Sequence, residues 1–214
     1  MDDESSDTEA PESEILSSAT DEGRVTLDHQ IATIRNTSDF AFRMLRLNLV
    51  LIGALLSSVP VAAQFAIPIG VFINEFTVPG VGFLFGSILT AAAAHTLTTA
   101  SAGIGPGGLM TVTSDEPSGR EFHERLSESY AEWIAENHRT LMRQNGVFIL
   151  SMLLFINSAI FLGAGFVAGI YDPGFGSRPL YLLLTAAITL ATDLVLLRTN
   201  GYEPVAAALD VFRD

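Results

Sequence analysis

The chain has 214 residues, 49% of them hydrophobic, and a formal net charge of -13. All 11 basic residues are arginine, and the chain contains no lysine and no cysteine. These absences exclude a P-loop lysine, a Schiff-base lysine, a cysteine nucleophile, cysteine-ligated zinc and disulfide bonds.

The first residues, MDDESSDTEAPESE, are acidic and polar and lack the basic start and the small-residue cleavage site of a secretory signal peptide. Their low apolar content predicts a disordered acidic tail over 1–24, followed by a membrane domain over 25–214. An acidic, lysine-free composition is typical of halophilic archaea, whose carboxylate-rich proteins stay soluble in concentrated salt. This favours an adaptation to salt over a binding site as the origin of the tail's charge.

Four apolar runs are long enough to cross a hydrocarbon core of about 30 Å at about 1.5 Å of helix rise per residue. They cover about 47–67, 81–102, 146–170 and 179–198, in a chain with a mean hydropathy of +0.39. The predicted fold class is all-α, a polytopic membrane protein with four transmembrane helices in two helical hairpins.

The arginines fall on one side of these four predicted spans. Ten of the 11 precede the first span, lie between the second and third, or follow the fourth, and only Arg178 lies between the third and fourth. The positive-inside rule therefore places both termini and the long middle segment in the cytoplasm. We expect a multi-pass protein of the cell membrane.

Two segments next to the spans are amphipathic. Residues from Phe122 through Trp133 to Leu141 recur at helical spacing, which predicts a cytoplasmic helix over about 119–145. No helix breaker separates it from the third span, so a single helix of roughly fifty residues is expected. A similar stripe from Leu27 to Leu45 leads into the first span, and such stripes are typical of coiled-coil contacts.

Both cytoplasmic entries to the membrane carry the pattern R-x-N-x-V-x-I. Arg46 and Asn48 precede the first span, and Arg143 and Asn145 precede the third. These residues are predicted interface anchors, because arginine extends to lipid headgroups and asparagine satisfies free backbone groups. The shared pattern is also compatible with a parallel internal duplication about an axis along the membrane normal.

A small residue stands at every fourth position of the second span, a pattern that lets another helix approach closely. These positions are occupied by Gly82, Gly86, Thr90, Ala94 and Thr98. A shorter pair in the third span consists of Gly165 and Gly169. We expect the second span to be central in the bundle.

A histidine and an aspartate fall inside the spans. His95 and Asp193 each lie about fourteen residues into spans that run from outside to inside, so they are predicted to share a depth and to interact. The supporting polar positions are Thr90, Thr98, Thr189 and Asn157. The pair is either a proton-sensitive relay, because histidine changes charge near neutral pH, or a structural clasp between helices, and the clasp is favoured.

Enzyme motifs are absent from the sequence. The glycine-rich GIGPGG over 103–108 lacks the lysine and the following Ser or Thr of a nucleotide-binding loop, and no HExxH occurs. We therefore assign no catalytic, metal-binding or cofactor-binding residue. The expected partners are the lipid bilayer and either a second copy of the chain or another membrane or cytoplasmic protein, with no nucleic acid.

The run SDFAFRMLRLNLVLIGALLSS resembles small haloarchaeal multi-span membrane proteins and, more distantly, the transmembrane modules of SLATT-type and Pycsar-type antiphage effectors. Asp39, Ala41, Leu45 and Asn48 correspond to their acidic-x-x-Ala patch and Leu/Asn-rich membrane entry, although the lysine of that patch is absent and four spans replace two. The resemblance implies membrane disruption triggered by a ligand or partner.

Three function classes remain open at this point. The favoured one is a non-enzymatic membrane protein whose cytoplasmic helices mediate assembly or sensing. The alternatives are a pore-forming effector module and a small proton-linked transporter that uses His95 and Asp193.

Overall fold

The structure, a computed structural model, describes residues 6–65, 68–97, 119–171, 178–200 and 204–206. These residues form helices and no β-strand. The long helices are α1 (Ser6–Gln64), α2 (Thr77–Thr96), α3 (Gly119–Tyr171) and α4 (Arg178–Asn200), with a short 3-10 helix at Ile69–Phe72. Each long helix is long and apolar enough to cross a membrane, by length and composition. The predicted all-α class with four candidate spans is confirmed at this level.

The chain divides into two units. One combines Met1–Asn36 with Thr98–Leu141, and the other combines Thr37–Leu97 with Met142–Asp214. In the first unit, Leu27 and Ile34 of α1 are 4% and 1% exposed. The Gln30 Nε2 donates a hydrogen bond of 3.3 Å to the backbone oxygen of Ile134 in α3. Two residues of the stripe predicted on α1 are therefore buried in this unit.

The N-terminal segment differs from the disordered tail expected over 1–24, because α1 begins at Ser6. Thr20 is 8% exposed, and a Cβ atom on Gly23 would lie 3.4 Å from the Cβ of Tyr130 in α3. Amino-acid composition does not predict such contacts. One small residue packed against one aromatic ring hardly changes the apolar content of the segment.

In the second unit, α2 lies between α1 and α3 and runs antiparallel to both. Asn48 of α1 contacts Ser87 of α2, which in turn contacts Ser151 of α3. The buried residues of α2 include Gly80, Leu84, Ser87, Ala91 and Ala94, at intervals of four and three. This spacing keeps one face of a helix toward its neighbours. The central position expected for the second span agrees with these contacts.

The start of α2 is fixed by Asn74. Its Oδ1 accepts hydrogen bonds from the backbone N–H groups of Phe76 and Thr77 at 3.1 and 3.0 Å, which supplies partners for two helix-terminal donors. Pro79 then lies in the first turn, where its missing N–H has no cost. The helix consequently begins at Thr77, four residues before the predicted start of the span, and it ends at Thr96.

Helix α3 is continuous over 53 residues, as the absence of a helix breaker predicts. Helix α1 likewise continues through Pro60 to Gln64, and Pro68 precedes the 3-10 helix. The C-terminal part of the predicted second span, including Thr98, lies outside the described residues.

Candidate functional site

Three fully buried polar side chains join α1, α2 and α3. The hydroxyls of Ser87 and Ser151 each donate to the other residue's backbone oxygen, at 2.9 and 3.0 Å. Asn48 Nδ2 donates to Ser87 Oγ at 3.0 Å, and all three residues are 0% exposed. These buried hydrogen bonds connect the three helices, so their polar atoms serve helix association. Sequence reasoning identified Asn48 and missed both serines.

A second contact lies along the same helices. Gln144 of α3 is 0% exposed and donates through Nε2 to the backbone oxygen of Ala94 at 3.2 Å. Ala94 also packs in a small core with Ala41 and Val147. Ala94 is thus buried in a contact between helices.

His95 faces α1. Its Nδ1 lies 2.8 Å from the Ser38 hydroxyl, and its ring centroid is 5.4 Å from that of Phe42. Ser38 is 7% exposed, whereas His95 is exposed, so the imidazole contacts α1 from the surface of the bundle. The histidine among the alanines of α2 is therefore a contact residue between two helices.

Asp193 faces α3 instead. Its Oδ2 accepts a hydrogen bond of 3.1 Å from Asn157 Nδ2, and Asn157 is 7% exposed. Among the described residues, no hydrogen bond or ion pair joins Asp193 to His95. The sequence predicts that the two side chains interact directly or through water, and the described structure contains no direct contact between them.

The shared depth predicted for His95 and Asp193 is also not observed. The residue before His95 contacts Gln144 of α3, whereas Asp193 contacts Asn157. These two α3 residues are 13 positions apart, which is about 20 Å at about 1.5 Å per residue. The error has a physical reason: counting from predicted span ends ignores where each helix begins and how it packs against its neighbours.

Thr90, one of the predicted supporting positions, is 8% exposed. Its hydroxyl donates hydrogen bonds to the backbone oxygens of Gly86 and Ser87 at 2.8 and 3.1 Å. Its hydroxyl is therefore satisfied within its own helix. The Oγ1 of Thr189 is buried and has no hydrogen-bond partner among the described residues.

The predicted glycine contacts divide into two groups. A Cβ atom added to Gly82 would meet nothing within 4 Å among the described residues, so this residue makes no close helix contact there. Gly80, which the prediction omitted, is one: its added Cβ would lie 3.0 Å from the backbone nitrogen of Leu162. An added Cβ on Gly86 would lie 3.3 Å from Leu154 Cδ1.

Both glycines of the third-span pair lie at close contacts. A Cβ on Gly165 would lie 3.0 Å from the backbone nitrogen of Thr77, and one on Gly169 would lie 3.1 Å from the backbone oxygen of Val71. Asn74 Nδ2 also donates to the backbone oxygen of Gly165 at 2.9 Å. These glycines allow the start of α2 and the preceding turn to approach α3.

The two R-x-N anchors differ in their surroundings. Arg46 is exposed, with its guanidinium 4.5 Å from the centroid of the Phe42 ring, and Asn48 is fully buried. In the second copy Arg143 is also exposed, but the fully buried amide belongs to Gln144, and Asn145 is only half-buried.

The register of α1 and α3 also argues against a two-fold duplication along the membrane normal. Such an axis places corresponding residues at one level. The corresponding arginines are 97 positions apart, whereas the rings of Phe40 and Phe148, which are 108 positions apart, lie 6.5 Å from each other.

An apolar crevice of about 260 Å³ lies where α1, the 3-10 helix, α2 and α3 meet. Leu55, Phe65, Phe72 and Phe166 are among its lining residues, and the polar ones are Ser58 and Thr77. The lining residues include no titratable group, and most of them are apolar.

Comparison of the chain with protein-family models, with curated proteins and with solved structures finds no match.

Proposed function

We propose that this chain is a non-enzymatic, multi-pass membrane protein that associates with further copies of itself through α1. Its four spans form two helical hairpins, and the amphipathic parts of α1 and α3 lie in the cytoplasm, where they mediate assembly or sensing. The buried polar contacts among α1, α2 and α3 support this function, because they engage polar side chains of the spans in helix association.

The observation that carries the proposal is the uneven burial of the candidate spans. In the apolar 18-residue stretch of each candidate span, 33% of the residues are buried in α2 and 39% in α3. The corresponding share is 6% in both α1 and α4. On α1, Gly53 and Ser57 are exposed and separated by one helical turn, and nothing lies within 4 Å of a Cβ built on Gly53. Small residues at this spacing allow close contact with another membrane helix.

Self-association can be measured by single-molecule photobleaching of labelled protein in liposomes, over a series of protein-to-lipid ratios. Gly53→Leu is expected to shift the distribution toward single copies, because a branched side chain blocks close approach at this face. Gly82→Leu is the matched control, since Gly82 is exposed on α2 and its added Cβ also meets nothing.

Equal association of Gly53→Leu, Gly82→Leu and the unaltered chain contradicts assembly through α1. Assemblies limited to two copies favour a dimeric module. Rings of more copies with ion conductance favour the pore-forming alternative that the antiphage effector resemblance implies.

The orientation is testable because the chain has no native cysteine. Single cysteines at Ile73 and Ala131, both exposed positions, are treated with a membrane-impermeant maleimide on intact cells. We expect labelling of Ile73→Cys at once and of Ala131→Cys only after lysis, since the arginine distribution places residue 131 inside. The opposite pattern refutes the orientation.

A further inference from the structure

Two buried oxygens without partners among the described residues belong to one contact between α3 and α4. Asn157 and Asp193 are joined by one hydrogen bond, and the other oxygen of each side chain, Asn157 Oδ1 and Asp193 Oδ1, is buried with no partner among the described residues. Thr189 lies one turn before Asp193 on the same side of α4, and its Oγ1 is likewise buried and without a partner.

The hydroxyl of Thr189 behaves differently from those of other threonines on α4. Thr185 donates to the backbone oxygen of Tyr181 at 2.9 Å, and Thr192 donates to that of Ile188 at 2.8 Å. Bonding to the preceding turn is the usual way for such a hydroxyl to be satisfied in a membrane helix. Thr189 does not make this bond in the described structure, so its oxygen is available to a ligand at the Asn157–Asp193 contact.

The charge of Asp193 has no counterpart in the described part of the chain. Its hydrogen-bond partner is the neutral amide of Asn157, and no arginine or histidine of the described residues forms an ion pair with it. Placing a carboxylate within a membrane helix has a free-energy cost, and such residues mark ion or proton pathways. A bound positive charge would remove most of this cost.

We propose that Asn157, Thr189 and Asp193 bind a monovalent metal cation of the sodium class between α3 and α4. All three ligand atoms in this proposal are oxygens, which hard cations prefer. The single carboxylate balances a single positive charge. A proton on Asp193 would satisfy the carboxyl and the Asn157 oxygen but would leave the Thr189 hydroxyl without a role. The site goes beyond the proposed assembly function, because association through α1 does not require it.

Carbodiimide labelling tests the site directly. A hydrophobic carbodiimide such as dicyclohexylcarbodiimide modifies protonated carboxyl groups within a bilayer, and Asp193 is the one acidic residue in the four predicted spans. The full chain in lipid nanodiscs is labelled in sodium chloride or in choline chloride of equal ionic strength, and the adduct is measured by mass spectrometry. We expect sodium to suppress the adduct on Asp193 in a saturable manner, and Asp193→Asn to show no adduct.

The ligand role of Thr189 has a matched control on the same helix. Thr189→Val is expected to raise the sodium concentration for half-protection at least about tenfold, because even outer-shell partners of metal sites contribute about 10- to 100-fold in affinity. Thr192→Val removes an equivalent hydroxyl that is bonded to its own helix and should leave protection unchanged.

Several results would overturn the cation site. Sodium that protects no better than choline refutes it in the unaltered chain, whether or not the variants fold. Labelling that responds to pH but not to sodium assigns a proton alone and also overturns it. Equal protection of Thr189→Val and Thr192→Val removes Thr189 from the ligand set. None of these results changes the photobleaching outcome for Gly53→Leu, so the two proposals fail independently.

Discussion

The packing face of α2 predicts opposite effects for the same substitution made two residues apart. In Gly80→Ala the new Cβ would lie 3.0 Å from both the backbone nitrogen and the Cγ of Leu162, so α3 must shift to accommodate it. In Gly82→Ala the new Cβ meets nothing within 4 Å. The small-residue stripe seen in the sequence gives the reverse expectation, because it includes Gly82 and omits Gly80.

The magnitudes follow from two terms. Replacing glycine by alanine within a helix gains up to about 1 kcal/mol at either position. Overpacking at a tight contact costs about 1–3 kcal/mol. Gly82→Ala is therefore expected to be neutral or more stable by up to about 1 kcal/mol. Because the helix term is common to both, Gly80→Ala should be less stable than Gly82→Ala by about 1–3 kcal/mol.

The assay is reversible unfolding in mixed micelles with increasing sodium dodecyl sulfate, followed by circular dichroism. A second pair repeats the comparison on α3: Gly165→Ala places its Cβ 3.0 Å from the Thr77 backbone nitrogen, and Gly163→Ala meets nothing within 4 Å. Equal destabilisation by Gly80→Ala and Gly82→Ala would refute the assignment of the α2 packing face.

Two further predictions use the same unfolding assay. A double-mutant cycle with Asn157→Ala and Asp193→Ala should give a coupling of about 0.6 kcal/mol and at most about 1.7 kcal/mol, as measured for interhelical hydrogen bonds in membranes. The corresponding cycle for His95→Ala and Asp193→Ala should be additive within about 0.5 kcal/mol, and a larger coupling would restore their direct interaction. Gly23→Ala should stabilise the chain by up to about 1 kcal/mol, because Gly23 lies inside α1 and alanine favours the helix. The new Cβ would lie at an ordinary contact distance of 3.4 Å from Tyr130. A loss of stability would contradict this and indicate a tighter contact with Tyr130.

The sequence predicts the four apolar helices and the continuity of α3 well, because apolar length and the absence of helix breakers are local properties. It predicts the packing face of α2 poorly. Four residues turn an α-helix by about 40° more than a full turn, so a stripe at every fourth position moves around the helix. The observed face alternates intervals of four and three, from Gly80 to Ala94, and stays on one side. Ser87, on this face, is not distinguished by composition from other isolated serines in apolar runs.

The failed pairing of His95 with Asp193 shows which coordinate a single sequence leaves undetermined. Residue counting gives the position of a side chain along its own helix, but it gives neither the offset of that helix relative to its neighbours nor the angle of the side chain around it. His95 meets Ser38 on α1, and Asp193 meets Asn157 on α3. The inference that survives is the general one: a carboxylate in an apolar helix needs a partner. Because the amide found there is neutral, the structure leaves the charge of Asp193 to be balanced by something other than a basic side chain of the described residues, and this is the property that sodium protection against carbodiimide measures.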